Sequence, residues 1–204
     1  VFADDILQMD QPGSSKTVCV SQGIHLVVDK KFFPSEEALM IPKTSDGRVL
    51  FAVPWHGKLV IGTTDTAVET ASPEPVALQK EIDFILETAA EYLVQKPAAA
   101  DVLSVFAGQR PLAVPKEGSQ KTKEISRSHK IVVSTSNLFT MLGGKWTTYR
   151  KMAEDMLDNI EETMRWPKRR SMTKNLSIHG NMQAEQGDPF YFYGTDAACL
   201  NTEE

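Results

Sequence analysis

The sequence predicts an α+β fold built around a mixed or antiparallel sheet. Segments 48–64 and 129–142 each contain two apolar runs separated by a short turn, which is the pattern of hairpin strands. One segment with apolar residues at 3.6-residue spacing lies between them, and a second follows the last hairpin. Hairpins interrupted by a few helices are typical of α+β proteins.

The first half of the chain is predicted to form strands and then one helix. Residues 23–32 and 38–43 are rich in apolar and β-branched side chains and are predicted as strands. The hairpin over 48–64 has Gly57 in its turn. The helix that follows ends before Pro97, and its apolar residues repeat every three or four positions: Leu78, Ile82, Ile85, Leu86, Ala89 and Leu93.

The second half returns to strands before a last helix. Residues 101–114 are predicted as a strand interrupted at Gly108 and Pro111, and 116–128 as a polar loop. After the hairpin over 129–142, the last helix presents an apolar stripe and stops at Pro167. The stripe consists of Tyr149, Met152, Ala153, Met156, Ile160 and Met164.

Composition limits the classes of function. The 204 residues are 41% hydrophobic and 24% charged, as in a globular protein with a core. The formal charge of −5 argues against nucleic-acid binding, which usually needs a basic face. Cys19 and Cys199 have no metal-ligand or disulfide spacing. No apolar run has the ~20 residues that a membrane span requires. The chain begins at Val1, and we expect it to be a piece of a longer protein.

A glycine-rich, positively charged turn lies directly before the last helix. Gly143 and Gly144 allow close approach of a ligand to the backbone, and Thr147 or Thr148 can cap the helix. Lys145 adds a full charge to the partial positive charge of a helix N-terminus, and Trp146 follows it. The turn suits a phosphate, a carboxylate or a reduced cofactor. The alternative is an ordinary strand-to-helix turn with an exposed lysine.

Two further residues are candidates for chemistry. Arg110 precedes a proline, which fixes the local backbone, and a guanidinium suits two-pronged recognition of phosphate. A surface arginine beside a bulge is the alternative. His25 lies in an apolar strand, where it is either a buried structural residue or a base facing a cleft. No two histidines have metal-ligand spacing, so we expect no metal site.

Several stretches together resemble a known family. They are SQGIHLVV, FAVPW with IGTTDT, EIDFIL, FAGQRPL, ISRSHKIVVS and LGGKWTTYRKMAEDML. Over residues 1–165 the chain resembles the FAD-dependent glycerol-3-phosphate dehydrogenases, flavoproteins with a D-amino-acid-oxidase-like substrate domain. The resemblance implies that 1–165 is a substrate-binding domain ending in a flavin-facing turn and helix. Residues 166–204 would be a linker or tail toward a missing C-terminal helical domain.

The resemblance also implies a reaction and roles for residues. Sn-glycerol 3-phosphate would be oxidised to dihydroxyacetone phosphate, with hydride passing from C2 to the flavin and electrons then to quinone or oxygen. Arg110 and Lys145 would hold the substrate phosphate, and His25 would take the C2 hydroxyl proton. The segment Gly143, Gly144, Lys145, Trp146, Thr147 and Thr148 would face FAD. The whole protein would be cytoplasmic or attached peripherally to the inner membrane.

One departure limits the resemblance. The family's Gly-x-Gly-x-x-Gly turn for FAD does not occur anywhere in the sequence. We therefore expect these residues alone to lack activity and not to retain FAD. Two other hypotheses stay open. One is an amino-acid oxidase of the same fold, which would need a carboxylate clamp and an apolar side-chain pocket. The other is a non-catalytic module that binds phosphate or a partner protein.

Overall fold

Six strands form one antiparallel sheet. In this computed structural model, which describes residues 1–45, 47–114, 128–181 and 190–200, the long central strand β1 (Val18–Asp29) pairs on one side with β4 (Lys58–Gly62) and β5 (Thr66–Val68). On its other side β1 pairs with β6 (Ser104–Ala113). The order continues from β4 through β3 (Leu50–Trp55) to β2 (Leu39–Ile41). The predicted α+β class with an antiparallel sheet is confirmed.

The core lies on one face of this sheet, under helix α2 (Gln79–Tyr92). The strands alternate, so that Ile24, Leu26 and Val28 of β1 all point to the helix and are fully buried. They pack with residues of the neighbouring strands and of α2, chiefly Ile41, Leu50, Leu59, Ile61, Ile85 and Ala89. The helix predicted from periodicity is confirmed, as is the hairpin formed by β3 and β4 with its turn at His56 and Gly57.

Strand β6 is continuous, so the predicted interruption at Gly108 and Pro111 is wrong. Pro111 is paired with Val20 in an unbroken register from Ser104 to Ala113. Strand β6 pairs only with β1 in this sheet, and an edge strand tolerates proline because alternate N–H groups point outward. The amide of Val114 donates to the Thr17 carbonyl at 2.8 Å, which directs the N–H position of residue 111 away from β1.

A second hairpin and an N-terminal helix complete this part of the chain. Strands β7 (His129–Val133) and β8 (Phe139–Gly143) confirm the predicted hairpin. Helix α1 (Ala3–Asp10) was not predicted, and Asp4 attaches it to β1 by accepting hydrogen bonds from the amides of Thr17 and Val18 at 2.9 and 3.1 Å. The predicted loop over 116–128 lies outside the described residues except for Ser128.

The chain divides into two compact units, Val1–Met152 and Ala153–Glu204. The last predicted helix is confirmed as α3 (Tyr149–Thr163), which begins in the first unit and continues into the second. The second unit also contains short 3-10 turns and helix α4 (Ala197–Leu200). The predicted division at residue 165 stays a prediction. No helix among the described residues combines the length and apolar character needed to cross a membrane.

Candidate active site

The face of the sheet opposite α2 carries two of the predicted site residues. The period of two along β1 places Gly23 and His25 on this face, which we call the open face. The register of β6 brings Phe106 opposite His25 and Arg110 opposite Ser21, while β4 brings Gly62 to the other side of His25. The register therefore places a histidine and an arginine on the same face of neighbouring strands, four positions apart.

His25 is held between a glycine and an aromatic ring. Its imidazole stacks on Phe106 with ring centroids 4.9 Å apart and planes 13° from parallel. A Cβ at Gly62 would lie 2.8 Å from Cγ of His25 and from the Ile24 carbonyl oxygen, so only glycine admits the ring there. Burial lowers the pKa of His25, and the positive charge of Arg110 lowers it further. The imidazole is consequently neutral at pH 7 and able to accept a proton.

Arg110 is oriented by the segment that follows β4. Its Nη1 donates to the Thr64 carbonyl at 3.2 Å, and its Nη2 donates to Oγ1 of Thr63 at 3.0 Å. A Cβ at Gly23 would overlap both guanidinium nitrogens and lie 2.6 Å from Oγ1 of Thr63. Both acceptors are uncharged oxygens. These two bonds help to set the direction of the fork.

Among the described residues, open space adjoins these two side chains. Gly108 lies between Phe106 and Arg110 on β6 and opposite Gly23 on β1. A Cβ at Gly108 would meet no atom of the described residues within 4 Å. The two glycines therefore leave a flat area without side chains on the open face, bordered by the proton acceptor His25 and the cation Arg110. Such an area fits a small anionic substrate, or the flat ring of a cofactor, lying against the sheet.

Backbone angles and close packing explain the two glycines in the turn after β8. Gly143 and Gly144 have φ of 68° and 88°. A Cβ at Gly144 would overlap the Met152 side chain, and one at Gly143 would lie 2.9 Å from the Ser128 carbonyl oxygen. Lys145 and the residues after it are exposed, with Trp146 88% accessible. The structure thus places Lys145 in a turn outside the sheet that carries His25 and Arg110.

The predicted threonine cap is wrong. Residues Trp146–Thr148 form a 3-10 turn, and α3 begins only at Tyr149. The hydroxyl of Thr148 donates to the Lys145 carbonyl at 3.0 Å, instead of accepting from a helix amide as a cap would. The roles of Gly143, Gly144, Lys145, Trp146, Thr147 and Thr148 toward a cofactor, and of His25 and Arg110 toward a substrate, stay predictions.

Sequence reasoning missed the residues that support Arg110. Thr63 and Thr64 contact it directly, and Glu81 of α2 accepts a hydrogen bond from Oγ1 of Thr64 at 2.9 Å. One signal was present in the sequence, since Glu81 is four residues before Ile85 and so lies on the apolar side of α2. A carboxylate at a core position needs buried donors. The described residues contain no group of three His, Cys, Asp or Glu side chains suited to a metal ion.

Comparison with known proteins defines the class. Residues 1–150 match the family described as FAD dependent oxidoreductase (DAO), and the chain belongs to that family. A solved relative, the glycerol-3-phosphate dehydrogenase from Bacillus halodurans complexed with FAD, superposes with a TM-score of 0.73 at 33% identity. The match covers 89% of this chain and 34% of that one. The fold prediction is confirmed.

The curated relatives narrow the resemblance further. The chain is 40% identical over 182 residues to the mitochondrial glycerol-3-phosphate dehydrogenase of Arabidopsis thaliana, covering 88% of this chain and 28% of the relative. It is 36% identical over 181 residues to the mitochondrial glycerol-3-phosphate dehydrogenase of Homo sapiens, covering 88% and 25%. The predicted family resemblance is confirmed. The chain spans about a quarter of the length of these relatives.

Proposed function

We propose that the whole protein oxidises sn-glycerol 3-phosphate to dihydroxyacetone phosphate, using FAD, and that these residues supply its substrate-binding face. The observation that carries the proposal is that His25 and Arg110 share one face of the sheet with Gly23 and Gly108, and that Arg110 is near enough to lower the pKa of His25. Together they offer a cation for a phosphate and a neutral imidazole for a hydroxyl proton. The names of the relatives support this substrate over others.

Arg110 binds the substrate phosphate in this proposal. Its guanidinium is planar and can hold two phosphate oxygens at once, and its two bonds to the segment after β4 set the direction of the fork. Lys145, exposed in the turn after β8, adds a second cation on a flexible stem. Two cations match the double negative charge of the phosphate.

His25 takes the proton of the C2 hydroxyl. Its pKa lies below the usual range because of burial and of Arg110, so the imidazole is in its basic form at neutral pH. Stacking on Phe106 and close packing on Gly62 fix the ring plane. As the C2 hydrogen leaves with its electron pair, the imidazole receives the hydroxyl proton and the carbinol becomes a ketone. FAD, when bound, supplies the acceptor for that electron pair.

The turn from Gly143 to Thr148 is proposed to contact FAD. Its two glycines in left-handed conformation keep the backbone free of side chains, and Lys145 brings positive charge. Positive charge and amide donors stabilise a reduced, anionic ring. Electron transfer onward to quinone or oxygen, and a cytoplasmic location or peripheral attachment to the inner membrane, are further proposals for the whole protein. Acceptor assays and membrane fractionation test them.

The test is steady-state oxidation of glycerol 3-phosphate by the whole protein with a dye acceptor. Arg110→Ala and Lys145→Ala are each expected to lower kcat/KM by roughly 10–100-fold, the value of one or two charged hydrogen bonds. His25→Asn is expected to lower kcat by about 10²–10⁴, the usual contribution of a general base. His56→Asn, in the turn between β3 and β4, is the matched control. Activity on an amino acid instead of glycerol 3-phosphate would favour the amino-acid oxidase.

Residues 1–204 on their own are proposed to neither retain FAD nor turn over substrate. The absence of a Gly-x-Gly-x-x-Gly turn from the sequence supports this proposal. The purified polypeptide should show no flavin absorbance. A yellow protein with one flavin per chain would contradict it.

A further inference from the structure

Thr64 forms hydrogen bonds on both faces of the sheet. Its backbone carbonyl accepts from Nη1 of Arg110 on the open face, at 3.2 Å. Its hydroxyl points to the core face, where it accepts from the Ile24 amide at 3.0 Å and donates to Oε1 of Glu81 at 2.9 Å. The two bonds of the hydroxyl therefore restrain the position of Thr64, and with it the carbonyl that contacts the guanidinium.

Glu81 is a buried carboxylate that accepts hydrogen bonds from Thr64 and from other groups around it in the core. The side chain is 2% exposed, and its Oε2 accepts from the Leu78 amide at 3.0 Å and from Nε2 of Gln22 at 2.9 Å. Burial tends to raise the pKa of Glu81, but hydrogen bonds from Leu78, Thr66, Gln22 and Thr64 outweigh it and lower the pKa. The carboxylate is thus ionised and fully used as an acceptor.

A buried charge of this kind costs stability unless every acceptor is filled. One oxygen of Glu81 caps α2, since Oε2 accepts from the Leu78 amide at the start of the helix. The other oxygen, Oε1, accepts from the Thr64 hydroxyl and so holds the residue whose carbonyl contacts Arg110. Gly23 lets the guanidinium lie close against the backbone but offers no side-chain group to orient it, so the bonds to the segment that follows β4 contribute to its direction. That segment is fixed from below by Glu81.

We propose that Glu81 is a positioning residue for Arg110, acting through Thr64 to hold the guanidinium in the direction that binds the substrate phosphate. The inference rests on the proposed function, since Arg110 must bind phosphate for its direction to matter. Glu81 does not contact the substrate. Its effect is expected in KM for the phosphorylated substrate, through the position of Arg110 alone.

The experiment compares Thr64→Val with Thr64→Ser in the whole protein. Valine keeps the shape of the side chain and removes the hydroxyl, so KM for glycerol 3-phosphate should rise roughly tenfold, in the range of a misplaced binding group. Serine keeps the hydroxyl and should stay within about twofold of the parent protein. Glu81→Asp, which retains the charge but shortens its reach, should move KM in the same direction as Thr64→Val. Glu87→Gln, on the exposed side of α2, is the control.

A double-mutant cycle separates positioning from general damage. In an Arg110→Ala background, Thr64→Val should have no further effect on KM, because the group that it misplaces is gone. Unphosphorylated glycerol at high concentration should be oxidised equally well with and without Thr64→Val. The inference, but not the proposed function, would be overturned if Thr64→Val lowered activity equally on both substrates and its effect on KM added to that of Arg110→Ala. It would also be overturned if Thr64→Val and Glu81→Asp both lowered Tm and left KM unchanged. An unaltered KM in Arg110→Ala itself would overturn the proposed function and the inference with it.

Discussion

Replacing Gly23 by alanine should displace the Arg110 guanidinium while leaving the fold intact. The added Cβ would lie 2.5 Å from Nη1, whereas ordinary contacts of a Cβ begin at 3.4 Å. The new Cβ would lie closer still to Nη2, and 2.6 Å from Oγ1 of Thr63. The guanidinium must therefore retreat by at least about 0.9 Å, the difference between the distances for Nη1. It is the far end of a flexible side chain and can do so without moving the backbone. Alanine in a strand also costs less conformational entropy than glycine, which offsets the remaining strain.

The displacement is large enough to matter for binding. The bonds from Arg110 to Thr64 and Thr63 measure 3.2 and 3.0 Å, and a retreat of this size carries them beyond hydrogen-bond range. A misplacement of about 1 Å costs up to roughly 100-fold in rate, and a lost charged hydrogen bond costs about 1.5–3 kcal/mol. Gly23→Ala should thus raise KM for glycerol 3-phosphate about 10- to 100-fold, with a smaller effect on kcat and little change in Tm.

The assay is the initial rate of dye reduction by the whole protein over a range of glycerol 3-phosphate concentrations. The matched control is Gly23→Ala in an Arg110→Ala background, where the guanidinium no longer occupies the space and most of the effect should vanish. Thermal unfolding of each variant checks that the fold persists. Substrate binding by Gly23→Ala as tight as that of the parent protein would show that binding does not require the present direction of the guanidinium.

Two further predictions concern charge and backbone strain. Arg110→Ala should raise the apparent pKa of His25 in the pH profile of kcat/KM, because it removes a positive charge that disfavours protonation; an unchanged or lower pKa would contradict the contact. Gly144→Ala should lower Tm more than Gly13→Ala. Both positions have φ of 88°, so alanine is strained by about 1–2 kcal/mol at each. Only at Gly144 does a side chain, that of Met152, occupy the space of the new Cβ. Equal losses in Tm would contradict the packing of the turn.

The sequence predicted those elements whose signal is local. The spacing of apolar residues located α2, and the alternation around Gly57 located the hairpin of β3 and β4, because both patterns repeat within a few residues. Helix α1 was missed because it depends on Asp4 accepting hydrogen bonds from the start of β1, more than ten residues further along. Strand β5 was missed because only three residues pair with β1.

The candidate site was also predicted only in part. His25 and Arg110 were predicted from their own strands, and the register of β1 and β6 brings them to one face. Their supports were not predictable, since Thr64 lies 46 residues from Arg110 and 17 from Glu81 in the chain. No periodic pattern relates such positions. The glycines before α3 could equally be explained by a ligand or by packing, and the structure supplies the packing through Met152.

Thr64 and Glu81 support Arg110 from the core side because the open face has few side chains that could hold it. A core side chain is held by close contacts on every side, but Arg110 must leave one side of its guanidinium clear for a ligand. Gly23 beneath it and Gly108 beside it offer no side chain to hold the guanidinium. Hydrogen bonds to a backbone that is itself held in place can supply restraint instead. Thr64 meets this condition because its hydroxyl is fixed on the packed face by Glu81, so rigidity of the core is passed through the sheet to a side chain that the core does not touch.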